Sequence, residues 1–580
     1  MKASDYIVSL LKKEGIKDVF GYQGTMIAHF IDSIGKDNEI ANHVCYNEQG
    51  AAFEAVGYAK STGRISCAYS TSGPGATNLI TGIADAYYDS TPVLFITGQL
   101  NTYEYSNIPT IRQQGFQESD IVNIVKPITK YSVKIENVND IAYEFEKAIF
   151  IMNHGRKGPV LIDLPMNIQR EEVIIENLKH YKNNYEKDNI NYDNIADKII
   201  DIINNSNRPI LFLGNGIRQT NESIINVRKL VEKLRIPVLY SMLGKSFLED
   251  SCFYNYGFMG TAYGQRFSNI IGCKKADTII SLGCRLNGRT IGLKKEKFNQ
   301  NAKIVRIEID EEELKLNIHS DDIVFNVDVN KIIDALLSRL ETIEIDYKDE
   351  WNTVCDTIRR KLVTIDDNNE FFLPNKYVSI INKKMNYNSI VVADVGQNQI
   401  WAAHSIKIRN NQKILFSGGL GAMGFSLPAS IGSCIANNKC NTFVITGDGG
   451  MQMNIQELQL LKNEALPITI CVFNNDSLGL IHQQQCDFFD NNFYGSCNEG
   501  GYSAPCFSKI ADAYGIKSYQ VKSIDEFDKV LNSYDSTKPT LIEIKLPIGT
   551  KAYPKTFFGN EMINQRPELS EELLNELLNL

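Results

Sequence analysis

The chain has 580 residues, of which 43% are hydrophobic and 22% charged, and this composition is typical of a folded protein with about three or four domains. Its formal net charge of -9 and pI near 5.5 argue against a surface that binds nucleic acid or anionic lipid, so small molecules are the expected ligands. No apolar run reaches the roughly 18 residues that a membrane span requires, and no membrane partner is expected.

The chain opens with "MKASDYIVSLLKKEG", in which apolar residues at helical spacing are interrupted by Lys and Glu. This pattern predicts a folded helix and not a signal peptide. The 12 cysteines are scattered and form no C-x-x-C pair, so neither structural zinc nor a disulfide framework is expected. We therefore expect free thiols in a cytoplasmic protein.

Two regions of the chain share one rhythm of helix, strand, helix and strand. The first, residues 51–98, contains the strand patterns "ISCAYS" and "PVLFITG", and the second, residues 428–475, contains "NTFVITG" and "ITICVFNN". Short apolar strands that alternate with helices are typical of parallel βαβ units. Each region is therefore predicted to form an open α/β sheet, and the shared order suggests a duplication.

A third alternating region lies between the other two and predicts a middle α/β domain. Its buried strands are "PILFLGNG", "IPVLYS", "DTIISLG" and "KIVRIEID", and polar stretches at 180–194 and 346–376 are predicted to connect the domains. The predicted domains are residues 1–175, 190–340 and 370–550, followed by a C-terminal tail at 551–580. The expected fold class is thus α/β, with three domains that are each a mainly parallel sheet flanked by helices.

The stretch "FVITGDGGMQMN" runs from a predicted strand directly into Asp448. Ligands of open parallel sheets bind at the carboxyl ends of the strands, and the next strand, "ITICVFNND", brings Asn475 to the same edge. Carboxylate and amide oxygens suit Mg²⁺, which takes its remaining ligands from water and phosphate. The residues predict a bound Mg²⁺-diphosphate, and the alternative is a tight turn in which Asp448 caps the following helix.

Several motifs together resemble one family. "GDG", followed by 24 residues and then "NN", is similar to the thiamine diphosphate signature. The other matching stretches are "GYQGTMI", "NEQGAAFEAVGYA", "TSGPGATNLITGIADA", "GFQE", "GRKGPVLIDLP", "DVGQNQIWAAH" and "GGLGAMGFSLPA". Nearly the whole chain therefore resembles the large catalytic subunits of acetohydroxyacid synthases (acetolactate synthases). The resemblance implies a pyrimidine-binding domain, a central domain of FAD-binding type and a diphosphate-binding domain, in that order.

The resemblance also implies a set of cofactor-binding residues. Mg²⁺ would be held by Asp448, Asn475 and the main-chain carbonyl of Ser477. The other residues expected around thiamine diphosphate are Gln397, Asn398, Gly421, Met423, Gly447, Gly449, Gly450, Leu478 and Gly479. Met423 matches the apolar wedge that bends the cofactor, although a Met beside glycines is also ordinary core. FAD stays open, because a domain of this type can also persist as a scaffold or bind another nucleotide.

Four residues match catalytic or substrate-binding positions of the family. Glu48, in "NEQG", matches the glutamate that activates the cofactor's aminopyrimidine as a base, although an isolated Glu there could be only a cap or a solvated charge. Phe116 and Gln117, in "GFQE", match pocket residues, with ordinary turn packing as the alternative. Arg289 matches an arginine that recognises the acceptor, and a surface salt bridge is its alternative.

Subunit number follows from the same resemblance. Glu48 and Asp448 belong to different predicted domains, and the family assembles its site across two subunits. We therefore expect a homodimer or a homotetramer.

The departures from the family concern the acceptor pocket. Met166 stands where the family has lysine, Phe258 where a methionine is usual, and Gln484 where a tryptophan is expected. A pocket without that tryptophan should admit a larger or more polar acceptor. The expected function is decarboxylation of pyruvate, the 2-keto acid donor, with transfer of the two-carbon unit to a second carbonyl, as in acetolactate formation. The alternatives are transfer of activated acetaldehyde to a keto sugar, and a cofactor-bound homologue without turnover.

Overall fold

The computed structural model describes residues 1–580 with the exception of residues 106, 107, 109, 184–188, 218, 219 and 558. Three sheets of six strands follow one another along the chain, and every strand pair within them is parallel. Helices flank each sheet, so the predicted fold class is confirmed.

The first domain is built on short apolar strands that are mostly buried. Its strands are β1 (Asp18–Gly21), β2 (Ala41–Val44), β3 (Ser66–Ser70), β4 (Val93–Gln99), β5 (Tyr131–Lys134) and β6 (Val160–Pro165). Its helices are α1 (Ala3–Lys13), α2 (Ala28–Lys36), α3 (Glu48–Thr62), α4 (Pro74–Asn78), α5 (Ile80–Tyr88), α6 (Ile121–Val125), α7 (Ile141–Asn153) and α8 (Met166–Arg170). The strand order is β2-β1-β3-β4-β6-β5. The central strands β3, β4 and β6 are buried along their whole length, as expected for a sheet covered on both faces.

The middle domain has a different strand order. Its strands are β7 (Pro209–Leu213), β8 (Val238–Tyr240), β9 (Asn255–Phe258), β10 (Thr278–Leu282), β11 (Lys303–Glu308) and β12 (Ile323–Asn326). Its helices are α9 (Tyr192–Asn204), α10 (Asn221–Leu234), α11 (Arg266–Ile270), α12 (Gly288–Ile291), α13 (Glu311–Leu314) and α14 (Val329–Arg339). The order β12-β11-β10-β7-β8-β9 reverses direction beside β7, and such a switch point opens a crevice at the carboxyl ends of the strands.

The stretch predicted to connect the middle and third domains contains a helix of 19 residues, α15 (Asp349–Asp367). Trp351, Cys355, Ile358 and Leu362 lie on one face of α15 and pack against the middle domain. The other predicted connection, at 180–194, includes residues 184–188, which lie outside the described residues.

The third domain repeats the strand order of the first. Its strands are β13 (Ile390–Ala393), β14 (Lys413–Phe416), β15 (Thr442–Gly447), β16 (Ile468–Asn474), β17 (Lys517–Val521) and β18 (Thr540–Lys545). Its helices are α16 (Leu373–Ile381), α17 (Gln397–Ser405), α18 (Ser426–Ala436), α19 (Asp448–Met453), α20 (Leu458–Asn463), α21 (Gly479–Phe488), α22 (Phe507–Ala513) and α23 (Ile524–Ser533). The order β14-β13-β15-β16-β18-β17 has the same pattern as the first sheet, which agrees with the rhythm shared by the two sequence regions.

The C-terminal segment folds back onto the middle domain. It contains a short antiparallel pair, β19 (Lys555–Thr556) and β20 (Gln565–Arg566), and the helix α24 (Glu571–Asn579). Leu577 of α24 is buried in the same apolar cluster as Trp351 of α15. Among the described residues, none of the helices combines the length and the apolar character that crossing a membrane demands.

The first and third domains touch through α3 and α18, which cross at glycines. A Cβ built on Gly57 would lie 2.1 Å from the carbonyl oxygen of Ala429, and one on Gly432 would lie 1.9 Å from that of Glu54. Because even a methyl group would collide with backbone, only glycine allows the helices to approach this closely.

Two carboxyl groups are buried together beside this crossing. Glu54 and Glu457 are both fully buried, Cys45 Sγ lies 2.9 Å from Glu54 Oε2, and the Tyr46 amide donates to Glu457. Burial raises the pKa of Glu457 to about 7, and burial together with the charge of Glu457 raises the pKa of Glu54 well above its ordinary value. The folded state therefore holds protons that the unfolded chain, with carboxyl pKa values near ~4.3, has released.

Stability should consequently fall as the pH rises from about 4.5 through about 7. Replacing Glu54 by Gln removes one of the competing carboxyls, so we expect the melting midpoint to rise by roughly 2–4 °C at about pH 8 and to change less at about pH 6. Glu222, which is exposed on α10, offers a matched Glu→Gln control that should follow the wild type at both pH values. Thermal unfolding followed by circular dichroism checks this, and a wild-type protein that gains stability between the two pH values contradicts it.

Candidate active site

Asp448 lies at the carboxyl end of β15 and is the first residue of α19. Its Oδ1 accepts a hydrogen bond from the Gly449 amide at 2.7 Å, and its Oδ2 accepts one from the Ser477 amide at 3.1 Å. The residue preceding it, Gly447, is the N-cap of α19, so Asp448 does not occupy the capping position. Burial raises the pKa of Asp448 to about 6. A buried carboxylate at this edge is a natural partner for a cation.

Asn475 meets Gln397 at the same edge. Asn475 follows β16, and its Nδ2 lies 3.3 Å from Gln397 Oε1. Gln397 in turn donates to the carbonyl oxygen of Thr550 at 2.7 Å. A Cβ on Gly479 would lie 2.1 Å from Gln397 Oε1, so a larger residue at the start of α21 would displace both amides. The structure therefore brings Asn475, an expected Mg²⁺ ligand, into contact with Gln397, which is expected near the diphosphate.

The turn after β16 carries local strain. Asp476 has a φ of 49°, a left-handed conformation that costs a non-glycine residue free energy. This turn aims the Ser477 amide at Asp448, while the buried Ser477 hydroxyl has no hydrogen-bond partner. Buried polar groups are nearly always satisfied, so an unpartnered hydroxyl beside a carboxylate fits a site that takes a polar ligand.

Met423 and Leu478 enclose Gly449 from two sides. A Cβ on Gly449 would lie 2.9 Å from Met423 Cε and 2.7 Å from Leu478 Cδ2. Gly421, two residues before Met423, has a φ of 72°, and nothing lies within 4 Å of the Cβ position there. The loop thus presents an apolar side chain over a glycine-lined surface and has open space beside it.

Asp394 holds the loop that carries Met423, and the sequence reasoning missed it. This buried carboxylate, just after β13, accepts hydrogen bonds from the amides of Gly424 and Ser426 and from the Ser426 hydroxyl. A Cβ on Gly450 would lie 2.6 Å from Asp394 Oδ1, so this glycine of "GDGG" is explained by Asp394. The signal was present in "IVVADVG", where a second apolar strand ends in an aspartate.

Two other residues complete the contacts around Asp448. A Cβ on Gly447 would lie 2.8 Å from Asn398 Nδ2, so Asn398 packs directly against the turn. The Tyr502 hydroxyl lies beside the Asp448 carboxylate, and a Cβ on Gly449 would lie 3.6 Å from it. Tyr502 comes from a loop after α21 that carries no local motif, so no pattern in the sequence pointed to it.

Glu48 is the first residue of α3 in the first domain, and it is neither the helix cap nor a solvated charge. The cap is Asn47, whose side chain accepts from the Gln49 amide at 2.8 Å. The Glu48 side chain is buried; its Oε2 accepts from Asn78 Nδ2 at 2.9 Å, and its Oε1 lies 3.1 Å from the Cβ position of Gly75. The carboxylate is thus fixed in place by α4.

Phe116 and Gln117 lie on a turn that packs against Gly73, the residue that precedes α4. Gln117 has a φ of 64° and packs on Gly73, where a Cβ would lie 2.9 Å from Gln117 Cβ. The Phe116 side chain is 80% exposed in the single chain. Met166 begins α8 at the end of β6 and is half-buried. The turn is thus held through Gln117, while the Phe116 ring projects into solvent in the single chain.

Phe258 and Arg289 belong to another part of the molecule. Both line a cavity of about 280 Å³ that lies where the three domains meet, at the carboxyl ends of the middle sheet. Phe258 is buried and packs against Gly260, and the carbonyl oxygen of Arg289 accepts from the Thr261 amide at 2.8 Å. Gln484, on α21, is exposed and does not line the cavity.

The predicted site residues therefore form separate groups within one chain. The groups are the Asp448 edge of the third domain, the Glu48 region of the first domain, and the cavity. Within the part of the chain that the structure describes, no three His, Cys, Asp or Glu side chains gather as a metal site. The oxygen set at Asp448 differs from such a site, because it combines a single carboxylate with amide and main-chain groups. Mg²⁺ accepts such a set when phosphate supplies the remaining ligands.

Comparison with known proteins identifies the class to which this fold and site belong. Three thiamine pyrophosphate enzyme domains match the chain: the N-terminal binding domain over residues 1–124, the central domain over 196–336, and the C-terminal binding domain over 394–544. The third match contains Asp448 and Asn475, and the first contains Glu48. The chain is a thiamine pyrophosphate enzyme.

Relatives that align over nearly the whole chain identify the family within this class of enzymes. The chain is 34% identical to the probable acetolactate synthase large subunit of Methanocaldococcus jannaschii, over 97% of this chain and 95% of that protein. It is 34% identical to the acetolactate synthase large subunit of Lactococcus lactis, over 93% and 92%, and 32% identical to the acetolactate synthase isozyme 1 large subunit of Escherichia coli, over 95% of each. The chain belongs to the acetolactate synthase large-subunit family. Its enzymatic class is that of thiamine-diphosphate-dependent carboligases.

Proposed function

We propose that this enzyme decarboxylates pyruvate and transfers the remaining two-carbon unit to a second carbonyl compound. The observation that carries this proposal is the edge at which the Asp448 carboxylate, the Ser477 amide and the Asn475–Gln397 pair converge beside Met423. When bound, thiamine diphosphate supplies an acidic carbon that adds to a 2-keto acid and accepts the electron pair released with carbon dioxide. The overall transfer needs no external oxidant.

The residues of the chain would bind and orient the cofactor and would hold a proton on its aminopyrimidine ring. Asp448, Asn475 and the Ser477 carbonyl would hold Mg²⁺ against the diphosphate, and Met423 would hold the cofactor bent. Gln397, Asn398 and the backbone at the start of α19 would lie near the diphosphate. Glu48 would hold a proton at the far ring nitrogen of the aminopyrimidine, which makes its exocyclic nitrogen a base.

We infer that two copies of the chain assemble to complete the site. The support is the division of the site residues between domains, together with exposed aromatic side chains at Phe116, Tyr103 and Tyr494, which are 80%, 68% and 79% exposed. A two-fold interface would bury this apolar surface on both subunits. Sedimentation analysis of the purified protein distinguishes a dimer from a tetramer.

We propose that the central cavity takes part of a dinucleotide such as FAD. Its lining includes glycine turns after two strands, Gly216 after β7 and Gly283 after β10, and the buried Glu308 at the end of β11. A carboxylate in that position suits a ribose hydroxyl. Arg156 and Arg285 also line the cavity and pair with Asp310 and Glu313, so a diphosphate would compete with these carboxylates for the two guanidinium groups. Because the proposed transfer is balanced without redox chemistry, a flavin here would act as a structural ligand. Flavin absorbance of the purified protein tests this.

The acceptor is proposed to be a second molecule of pyruvate, as the names of the relatives indicate. Transfer to a keto sugar is the second candidate, and the exposed amide of Gln484 and the uncharged Met166 favour it. Gln484 and Met166 stand where the family resemblance leads us to expect tryptophan and lysine, so the acceptor pocket would admit a larger or more polar substrate. A cytoplasmic location is proposed as well, because all 12 cysteines carry free thiols, which suits a reducing compartment.

Carbon dioxide release tests the proposal. Purified protein with thiamine diphosphate and Mg²⁺ should release carbon dioxide from pyruvate within a panel of 2-keto acids, and release should depend on both additions. If no 2-keto acid in the panel is decarboxylated, the alternative of a cofactor-bound homologue without turnover replaces the proposal.

A further inference from the structure

A buried hydrogen-bond chain links the first sheet to the turn that carries Phe116 and Gln117. Asp163, in β6, is 1% exposed and accepts hydrogen bonds from Thr97 Oγ1 at 2.7 Å and from Gln99 Nε2 at 2.9 Å. Gln99 Nε2 also lies 2.9 Å from the carbonyl oxygen of Ser119. Gln99 itself is 2% exposed, and its Oε1 accepts from the Leu100 amide. One buried amide therefore joins the strand carboxylate to the end of the turn.

The turn itself is a compact unit. The Glu118 carboxylate accepts from the amides of Gln114 and Gly115 at 2.7 and 3.0 Å, and the Glu118 amide donates back to the Gly115 carbonyl at 3.1 Å. Among the described residues, the turn also packs Gln117 on Gly73 and Gly115 on Leu100, and the Ser119 carbonyl adds a hydrogen bond to the buried Gln99. A short turn that loses a hydrogen bond to a buried side chain opens more often, and its amides then exchange faster.

We propose that Gln99 and Asp163 are positioning residues that hold the Gly115–Ser119 turn against the first sheet, and through it Phe116 and Gln117. The inference that this attachment affects catalysis rests on the proposed roles of Phe116 and Gln117. The attachment itself rests only on the contacts of Gln99, Asp163 and Ser119.

The ionisation of Asp163 supports the geometry. Burial raises the pKa of Asp163 to about 7, while the charge of Lys134 and the bonds from Thr97 and Gln99 oppose that rise. Asp120 and Tyr105 also face the carboxyl group. The ionised carboxylate accepts both donors, whereas the protonated form carries a hydroxyl that competes with one of them. The turn should therefore be held more tightly as the pH rises through about 7.

The test compares two substitutions on the same buried carboxylate. Gln99→Met keeps the side-chain length and removes the amide that reaches Ser119, whereas Thr97→Val removes the other donor and leaves the attachment to Ser119 intact. In the enzyme with thiamine diphosphate and Mg²⁺, we expect Gln99→Met to speed hydrogen exchange in the 113–120 segment about 5- to 10-fold, and Thr97→Val to leave it within about 2-fold of wild type.

A pH series separates positioning from general stability. After correction for intrinsic exchange chemistry, protection of the 113–120 segment should rise between about pH 6 and about pH 8 in the wild type. It should stay low at both values in Asp163→Asn. Unchanged exchange in Gln99→Met, or an equal increase in Thr97→Val, overturns the proposal.

Kinetics separate this inference from the proposed function. We expect kcat/KM for pyruvate to fall about 10- to 100-fold in Gln99→Met. If exchange in the segment rises and kcat/KM stays at the wild-type value, the attachment stands, and the proposed roles of Phe116 and Gln117 are wrong.

Discussion

Replacing Glu48 by Gln should lower turnover of pyruvate by about 10²- to 10⁴-fold and leave the affinity for thiamine diphosphate within a few-fold of wild type. The amide oxygen of Gln can still accept the hydrogen bond from Asn78, so α3 and its surroundings should keep their structure. The neutral Gln side chain cannot stabilise a proton on the aminopyrimidine ring nitrogen as a carboxylate does. The loss should therefore appear in kcat and not in binding.

The measurement pairs steady-state kinetics with titration calorimetry of the cofactor at fixed Mg²⁺. Glu39, an exposed residue of the same domain, offers a matched Glu→Gln control that should match the wild type in both. Turnover at the wild-type level in the Glu48 variant contradicts the assigned role. So does a large loss of cofactor affinity, which would make Glu48 a binding residue.

Replacing Asp448 by Asn should act on cofactor binding, which the Glu48 substitution leaves nearly unchanged. We expect Mg²⁺-dependent binding of thiamine diphosphate to weaken at least about 100-fold. Removing even the outer partners of metal ligands costs about 10- to 100-fold in affinity, and here the proposed ligand itself would lose its charge. The neutral side chain could still accept from Gly449 or Ser477, so the β15–α19 turn should remain folded. Calorimetric titration of thiamine diphosphate with and without Mg²⁺ measures the effect.

Asp535 provides the control for this substitution. It lies just before β18, at the amino end of the strands and opposite the Asp448 edge, is half exposed, and pairs with Lys538 at 3.3 Å. Asp535→Asn should bind the cofactor within a few-fold of wild type. Equal affinity in the Asp448 and Asp535 variants is the outcome that excludes Asp448 as a metal ligand.

The sheets were predictable where burial imposes one pattern. β15 and β16 are buried at every position, so they appear in the sequence as unbroken apolar runs with a polar residue at the end. Burial alternates along the edge strand β12, and β5 is only partly buried at every position. Neither strand therefore stands out in the sequence as an apolar run. α15 is not evident from the sequence, because its apolar face consists of four residues spaced among many charged ones.

The candidate site was predictable only where a local motif carries it. Asp448 and Asn475 each follow a recognisable strand, so the parallel topology alone predicts that they meet. Tyr502 arrives from a loop that is remote in sequence and carries no chemical signature. Asn78 lies in a stretch that resembles the family, but the stretch alone does not reveal its hydrogen bond to Glu48. The contacts of Phe116 depend on what covers it, and a single chain leaves that ring 80% exposed.

Mass spectrometry of the products formed from pyruvate tests the central claim most directly. With thiamine diphosphate and Mg²⁺ present, the proposed function predicts one carbon dioxide released for each new carbon–carbon bond, and a five-carbon hydroxy-keto acid when pyruvate is the only substrate. Addition of a keto sugar that diverts the two-carbon unit would identify the second candidate acceptor. Release of free acetaldehyde as the sole product, with no carbon–carbon bond formed to any acceptor, would contradict the proposed transfer.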